Sequence, residues 1–269
     1  MNPLIIPIRK TDYDRFCLVA PQFVVLLSCK TKQGSFMPFD PIRHFYKKAG
    51  YNPRLIKELV VGEKYTAVIL QDGRLGVCAT LGNVMGRITA DFQADLKNPV
   101  HRIILNAYFN ALLNYDNEYE EGRDIFEEIP FDNYNQVVMV GWFRTLHKKF
   151  RDKGLPVKAY DILEKSKYLD PLEEMHGAVR KADALVVSST TIFNKTLKEI
   201  TDLASAECDI FMLGPSTIMH PDMFRHTPVK ALFGSVFKLH DKAVINIIKS
   251  GCGTPEFSGH MRKVFLKRP

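Results

Sequence analysis

The chain has 269 residues, 46% apolar and 25% charged, an ordinary globular balance that predicts a sizeable core in one large domain or two modest ones. Its five cysteines, Cys17, Cys29, Cys78, Cys208 and Cys252, are odd in number and widely spread, which excludes a disulfide framework and points to a reducing compartment, the cytoplasm by default. Thirty-seven Lys and Arg against thirty Asp and Glu give a formal charge of +7, which favours anionic partners by long-range attraction.

At the start, Pro3 and Pro7 break a short apolar run and the basic residues follow it, so the pattern is not that of a signal peptide. The run 16–27 is too short to span a bilayer and contains Pro21, so no membrane partner is expected. Asp40-Pro41 is a helix-start pair and Gly50 a helix end, predicting a short helix over 41–49. Residues 64–70 and 74–80 are β-rich runs flanking Asp72-Gly73, the dipeptide of a tight antiparallel hairpin. Asn98-Pro99 opens a helix to Asn114, along which Asn106, Asn110 and Asn114 form one polar stripe.

After the acidic segment 118–128 the pattern changes. Residues 136–142, 156–160, 184–188, 209–213 and 230–233 are short apolar runs separated by helix-length stretches, which predicts a parallel α/β sheet. Asp170-Pro171 predicts a helix over 172–182, and Thr190-Thr191 one over 192–203. The domain boundary falls between Glu128 and Gln136, giving an α+β domain over 1–133 and an α/β domain over 134–269.

In such a sheet ligands bind beyond the carboxyl ends of the strands. The residues there are Gly141, Trp142 and Phe143; 188–194; 214–217; and Gly234 with Ser235. Ser188-Ser189-Thr190-Thr191 with Asn194 offers more polar groups than one helix cap uses, at a helix start that attracts anions. Gly214-Pro215-Ser216-Thr217 permits close approach of a ligand, although its composition also suits a plain turn. Asp161 and Glu164 follow a strand, whereas Asp183 precedes one and lies at the opposite edge. No dinucleotide fingerprint or phosphate-loop lysine motif is present, which disfavours classical NAD or ATP binding.

Metal ligands do not declare themselves by spacing. His220, and the trio Cys252, Glu256 and His260, are the candidates, each more often a surface or packed residue. The basic clusters Lys148, Lys149, Arg151, Lys153 and Arg262, Lys263, Lys267, Arg268 are not interleaved with aromatics as a base-stacking platform would be, so nucleic acid is not the expected partner.

Residues 181–197, then Leu213-Gly214-Pro215-Ser216-Thr217, then Leu232-Phe233-Gly234-Ser235, resemble in order and spacing the heavy-metal-chelation family of uncharacterised prokaryotic proteins. Asn110-Ala111-Leu112-Leu113 looks like that family's Asn-Ala segment. The resemblance implies an enolase-N-terminus-like first domain, a Rossmann-like second one, and an interdomain site for a divalent heavy metal or metal chelate, linked by gene surroundings to anaerobic corrinoid metabolism. It carries over Asn110, Thr190, Thr191, Asn194, Gly214, Pro215, Ser216, Thr217 and Gly234 as ligand-binding candidates. The chain departs from the pattern in its longer start, 1–39, and in Ile218-Met219-His220. Hydroxyls and amides suit an oxygen-rich anion or a chelate better than a bare soft metal. The alternatives are an enzyme acting on a phosphorylated or carboxylated metabolite, a nucleic-acid-binding module, and a ligand-free, homo-oligomeric interaction protein whose polar loops would be filled by their own contacts.

Overall fold

A computed structural model describes residues 39–119 and 124–269. Residues 1–38, with Cys17, Cys29 and the apolar run 16–27, lie outside the described residues, as does 120–123 of the acidic segment. Helix α1 (Pro41–Ala49) begins as its sequence requires: the Asp40 carboxylate accepts from the Arg43 N–H at 3.3 Å, with proline in the first turn. Strands β1 (Ile56–Val61), β2 (Tyr65–Leu70) and β3 (Leu75–Ala79) then form an antiparallel meander. The β2–β3 turn is made at Asp72-Gly73, with Gly73 at φ 91°. β1 escapes the sequence reading because a bulge between Ile56 and Glu58 breaks its two-residue alternation.

Helix α2 (Pro99–Leu113) lies so close to the meander that a Cβ on Gly76 would fall 2.1 Å from the Ala107 carbonyl oxygen. Glycine at that position is what allows the helix and strand backbones to approach. After α3 (Ile125–Glu128) the chain alternates through β4 (Val137–Val140), α4 (Arg144–Asp152), β5 (Val157–Tyr160), α5 (Met175–Lys181) and β6 (Ala184–Ser188). It continues through α6 (Thr190–Phe193), α7 (Leu197–Leu203), β7 (Asp209–Leu213), α8 (Asp222–His226) and β8 (Val229–Phe237), and ends with α9 (Lys242–Lys249), α10 (Thr254–Phe257) and β9 (Met261–Lys267). The six strands order as β5-β4-β6-β7-β8-β9, parallel except for the antiparallel edge strand β9. The described residues form one compact unit.

Alternate residues of these strands face two cores. Val138, Val140, Leu185, Val187, Ile210 and Met212 pack toward α2, α5, α7 and α8, while Val137, Met139, Ala184, Val186 and Phe211 pack toward α3 and α4. The meander's other face, through Val60, Ala67, Ile69 and Val77, meets Val244, Ile245 and Ile248 of α9. Cys78 and Cys208 are buried free thiols, as their apolar settings imply, and Cys252 is half-buried. Among the described residues no helix is long and apolar enough to cross a membrane.

Two elements differ from expectation. The helix predicted over 192–203 is split into α6 and α7 because Asn194 accepts from both the N–H and the hydroxyl of Thr196, and Lys195 takes φ 69°. β8 runs through Gly234 and Ser235 to Phe237, since β9 pairs with its whole length from Ala231 onward. Those two residues therefore lie inside a strand and not in a strand-end loop.

Arg102 of α2, 1% exposed, ties these parts together. Its guanidinium donates to Asp40 in a two-pronged pair at 2.7 and 2.8 Å, and to the carbonyls of Phe193 at 2.6 Å and Ile192 at 2.9 Å. One cation thus joins the cap of α1 to the C-terminal end of α6. Arg102→Met would leave the Asp40 carboxylate and two carbonyls without their donor, and we expect it to cost about 3 kcal/mol or more, read as a lower urea midpoint at unchanged m-value.

Candidate functional site

In the strand order β5-β4-β6-β7, the connection after β4 leads to β5 on one side and that after β6 to β7 on the other, so the crevice beyond the carboxyl ends of β4 and β6 is the switch point where doubly wound sheets bind ligands. Gly141 ends β4 at φ 110°, and a Cβ there would lie 2.6 Å from the Ser188 Cβ. Glycine is required on both counts. Ser188 and Thr190 share a hydroxyl hydrogen bond of 2.9 Å, and both side chains are half-buried. Opposite them α4 starts at Phe143, which supplies no side-chain cap, and its first turn carries Arg144 and no acid. A helix start without a side-chain cap or an acid leaves N–H groups that favour an anion.

The other candidates are placed differently. Thr191 donates to the Ser188 carbonyl at 2.7 Å, and Asn194 forms the turn that splits the helix. Gly214, at φ 136°, abuts the Ser189 hydroxyl. Thr217 donates to the carbonyls of Gly214 at 2.8 Å and Phe233 at 2.9 Å, and the Ser216 hydroxyl accepts from the Ala79 N–H at 3.0 Å. Gly234 lies against the Met219 thioether and Thr217.

The 214–217 loop is also held by the asparagine stripe of α2. Asn106 donates to the Ser216 carbonyl at 2.8 Å, and Asn110 to the Val77 and Pro215 carbonyls at 2.8 and 3.3 Å. Asn114 donates to the Thr217 carbonyl at 3.0 Å and accepts from the Met219 N–H at 2.9 Å. Asn110, Pro215, Ser216 and Thr217 are therefore brought together, but as a buried seam between α2 and the large sheet. The Oδ1 atoms of Asn106 and Asn110 are buried there without a hydrogen-bond partner.

Sequence reasoning passed over His147. It sits in α4 against Trp142, with ring centroids 4.9 Å apart, and among the described residues no hydrogen bond meets its imidazole. Burial, reinforced by the charge of Arg151 and partly opposed by Asp170, holds it below the usual imidazole range, so it is neutral at pH 7. Only its position one turn into the helix that follows the first strand of the large sheet, beside the strand-end residue Trp142, could have marked it. Asp161 does reach this edge, accepting from the Trp142 N–H at 2.7 Å, whereas Asp183 accepts from the Asn135 and Gln136 N–H groups at the opposite edge.

Comparison with known proteins bears on this arrangement. Residues 124–267 match the DUF364 family and residues 43–113 the DUF4213 family, both described as “Putative heavy-metal chelation”. The chain belongs to the DUF364 family. No curated protein matches it. A DUF364 protein of unknown function from Pyrococcus horikoshii is similar in structure at TM-score 0.69 and 20% identity, covering 84% of this chain and 99% of that one. Another, from Desulfitobacterium hafniense DCB-2, gives TM-score 0.63 at 17% identity, covering 84% and 98%. These likenesses carry the fold and not the ligand.

For a DUF364 member the donor set is informative. Among the described residues no three of His, Cys, Asp and Glu converge to hold a metal. Burial pushes the Cys78 thiol up to about 12 and Cys208 to about 11, far from the thiolate a soft metal needs. Cys252, Glu256 and His260 have separate partners: Cys252 faces the Ser250 carbonyl, Glu256 caps Gly253 at 2.9 Å, and His260 meets Asp241 at 3.3 Å. The donors beside Gly141 are hydroxyls and backbone N–H groups, which fit an anion or a chelate's oxygens and not a bare heavy-metal ion.

His220 belongs to a charged cluster joining α1 to α8. Asp222 takes Lys48 at 2.6 Å, His44 at 2.8 Å and Arg225 at 3.3 Å, and its N–H donates to His220 Nδ1. Burial opposes ionisation of Asp222, but Lys48 and His44 outweigh it and hold the carboxyl far below its ordinary 3.8. A depressed carboxyl contributes stability above its unfolded pKa and loses it as pH falls. Asp222→Asn should therefore be less stable than the parent at pH 7, with the difference shrinking as pH drops below about 4, as thermal unfolding across pH would reveal.

Proposed function

We propose that the chain binds a small oxygen-rich anion, or a metal already held in an anionic chelate, in the crevice between β4 and β6. The observation that carries this reading is the junction of Gly141 with Ser188, where a half-exposed hydroxyl pair faces an uncapped helix start. The buried seam at Asn110 and 214–217 supports it indirectly. Those groups are engaged in holding α2 to the large sheet, which concentrates the ligand role on Ser188, Thr190 and the backbone beside them.

One observation favours a second reading, an enzyme acting on a phosphorylated or carboxylated metabolite. His147 is a neutral imidazole beside the crevice, without a hydrogen-bond partner for its ring among the described residues, as a general base requires.

Equilibrium dialysis tests the first reading. Cobalt(II) citrate should be retained stoichiometrically, the aqua ion in non-coordinating buffer should not, and Ser188→Ala with Thr190→Val should weaken retention by about tenfold or more. Equal retention of the aqua ion, undiminished in the variant, would sink it.

A further inference from the structure

We infer that the crevice takes a planar aromatic anion, recognised by a wall of three rings and two cations at its β4 and β5 side. This rests on the crevice reading and narrows its ligand class. Trp142 follows β4, His147 lies on α4, and Tyr168 is in the loop after β5, so three separate elements deliver the rings to one edge of the sheet. The Trp142 and His147 centroids are 4.9 Å apart, and those of His147 and Tyr168 5.7 Å. Arg151 places its guanidinium carbon 4.7 Å from the Tyr168 centroid, and the Lys167 ammonium lies 5.2 Å from it.

Two features separate this wall from ordinary packing. Tyr168 is 41% exposed and Trp142 half-buried, so these rings are not sealed in a core. The nearby acids accept from backbone N–H groups and not from these cations: Asp161 from those of Trp142, Leu163 and Glu164, and Asp170 from that of Ala159. Neither Arg151 nor Lys167 forms a salt bridge with a described residue, so neither cation has a carboxylate partner among them. Flat rings beside cations that lack a carboxylate partner favour a ligand that is both planar and anionic. An aliphatic anion would leave the rings unused.

Pyridine-2,6-dicarboxylate and glutarate form a matched pair of probes, since both hold two carboxylates three atoms apart and only the first is flat and aromatic. Trp142 is the single tryptophan of the chain, so its emission reports on the wall directly, with calorimetry as a second readout. We expect the pyridine to quench Trp142 and to bind about tenfold tighter than glutarate. Tyr168→Leu and Arg151→Gln should each remove most of that preference at unchanged melting temperature. Equal affinities for the two probes, reduced alike by Ser188→Ala, would overturn the aromatic inference while leaving the anion crevice intact. No binding of either probe would overturn it, and retention of cobalt citrate would then decide the crevice separately. Salt-sensitive binding of an oligothymidylate, tighter than either probe and lost in the same two variants, would replace the small ligand with single-stranded nucleic acid.

Discussion

A guanidinium that is removed from water must meet a countercharge and acceptors for its N–H groups, and Arg102 meets them in three different parts of the fold. Asp40 is the cap of α1, and Ile192 and Phe193 are the last residues of α6. Because α6 is a single turn, it has little stability of its own. Its position, and with it that of Ser188 and Thr190 at its other end, depends on carbonyls held from α2. The helix that covers the small sheet is therefore also the element that fixes the crevice of the large one.

The asparagine stripe works in the same direction. Asparagine amides on one face of α2 donate to carbonyls of the 77 and 215–217 backbone, groups that would otherwise be buried without partners. Removing a partner from such a seam costs more than a surface hydrogen bond does, since the remaining group keeps its desolvation penalty. Polar residues at a contact between layers are thus explained by backbone satisfaction before any ligand is invoked. The same argument does not reach Ser188 and Thr190, whose hydroxyls are half-buried and pair mainly with each other.

Much of this was legible in the amino-acid sequence. Asp40-Pro41, Asp72-Gly73 and Asn98-Pro99 act locally, through caps and turns, and their elements stand at the expected places. The parallel strands were visible because burial on both faces demands continuous apolar runs. What escaped depended on partners distant in sequence. β1 is disguised by its bulge, β8 is lengthened by β9, and the helix after β6 is cut by a turn whose geometry only Asn194 and Thr196 together define. The site divides likewise: strand-end composition marked Ser188 and Thr190, but the engagement of 214–217 by α2 involves residues about a hundred positions away. Along the chain the basic cluster at 148–153 holds a single aromatic ring, Phe150, which is buried, yet in space Arg151 covers Tyr168 and Lys153 lies 4.8 Å from the Phe126 ring.

That last contrast bears on how the family description is to be understood. The protein's formal charge of +7 would repel a free metal cation at long range and attract an anionic complex of the same metal. On the proposed reading the crevice repeats that preference at short range, with the Ser188 and Thr190 hydroxyls beside the uncapped start of α4 and Arg151 and Lys167 at its wall. Chelation would then be chemistry carried by the ligand, and the protein's part would be to recognise the oxygen-rich, negatively charged exterior of what has already been chelated.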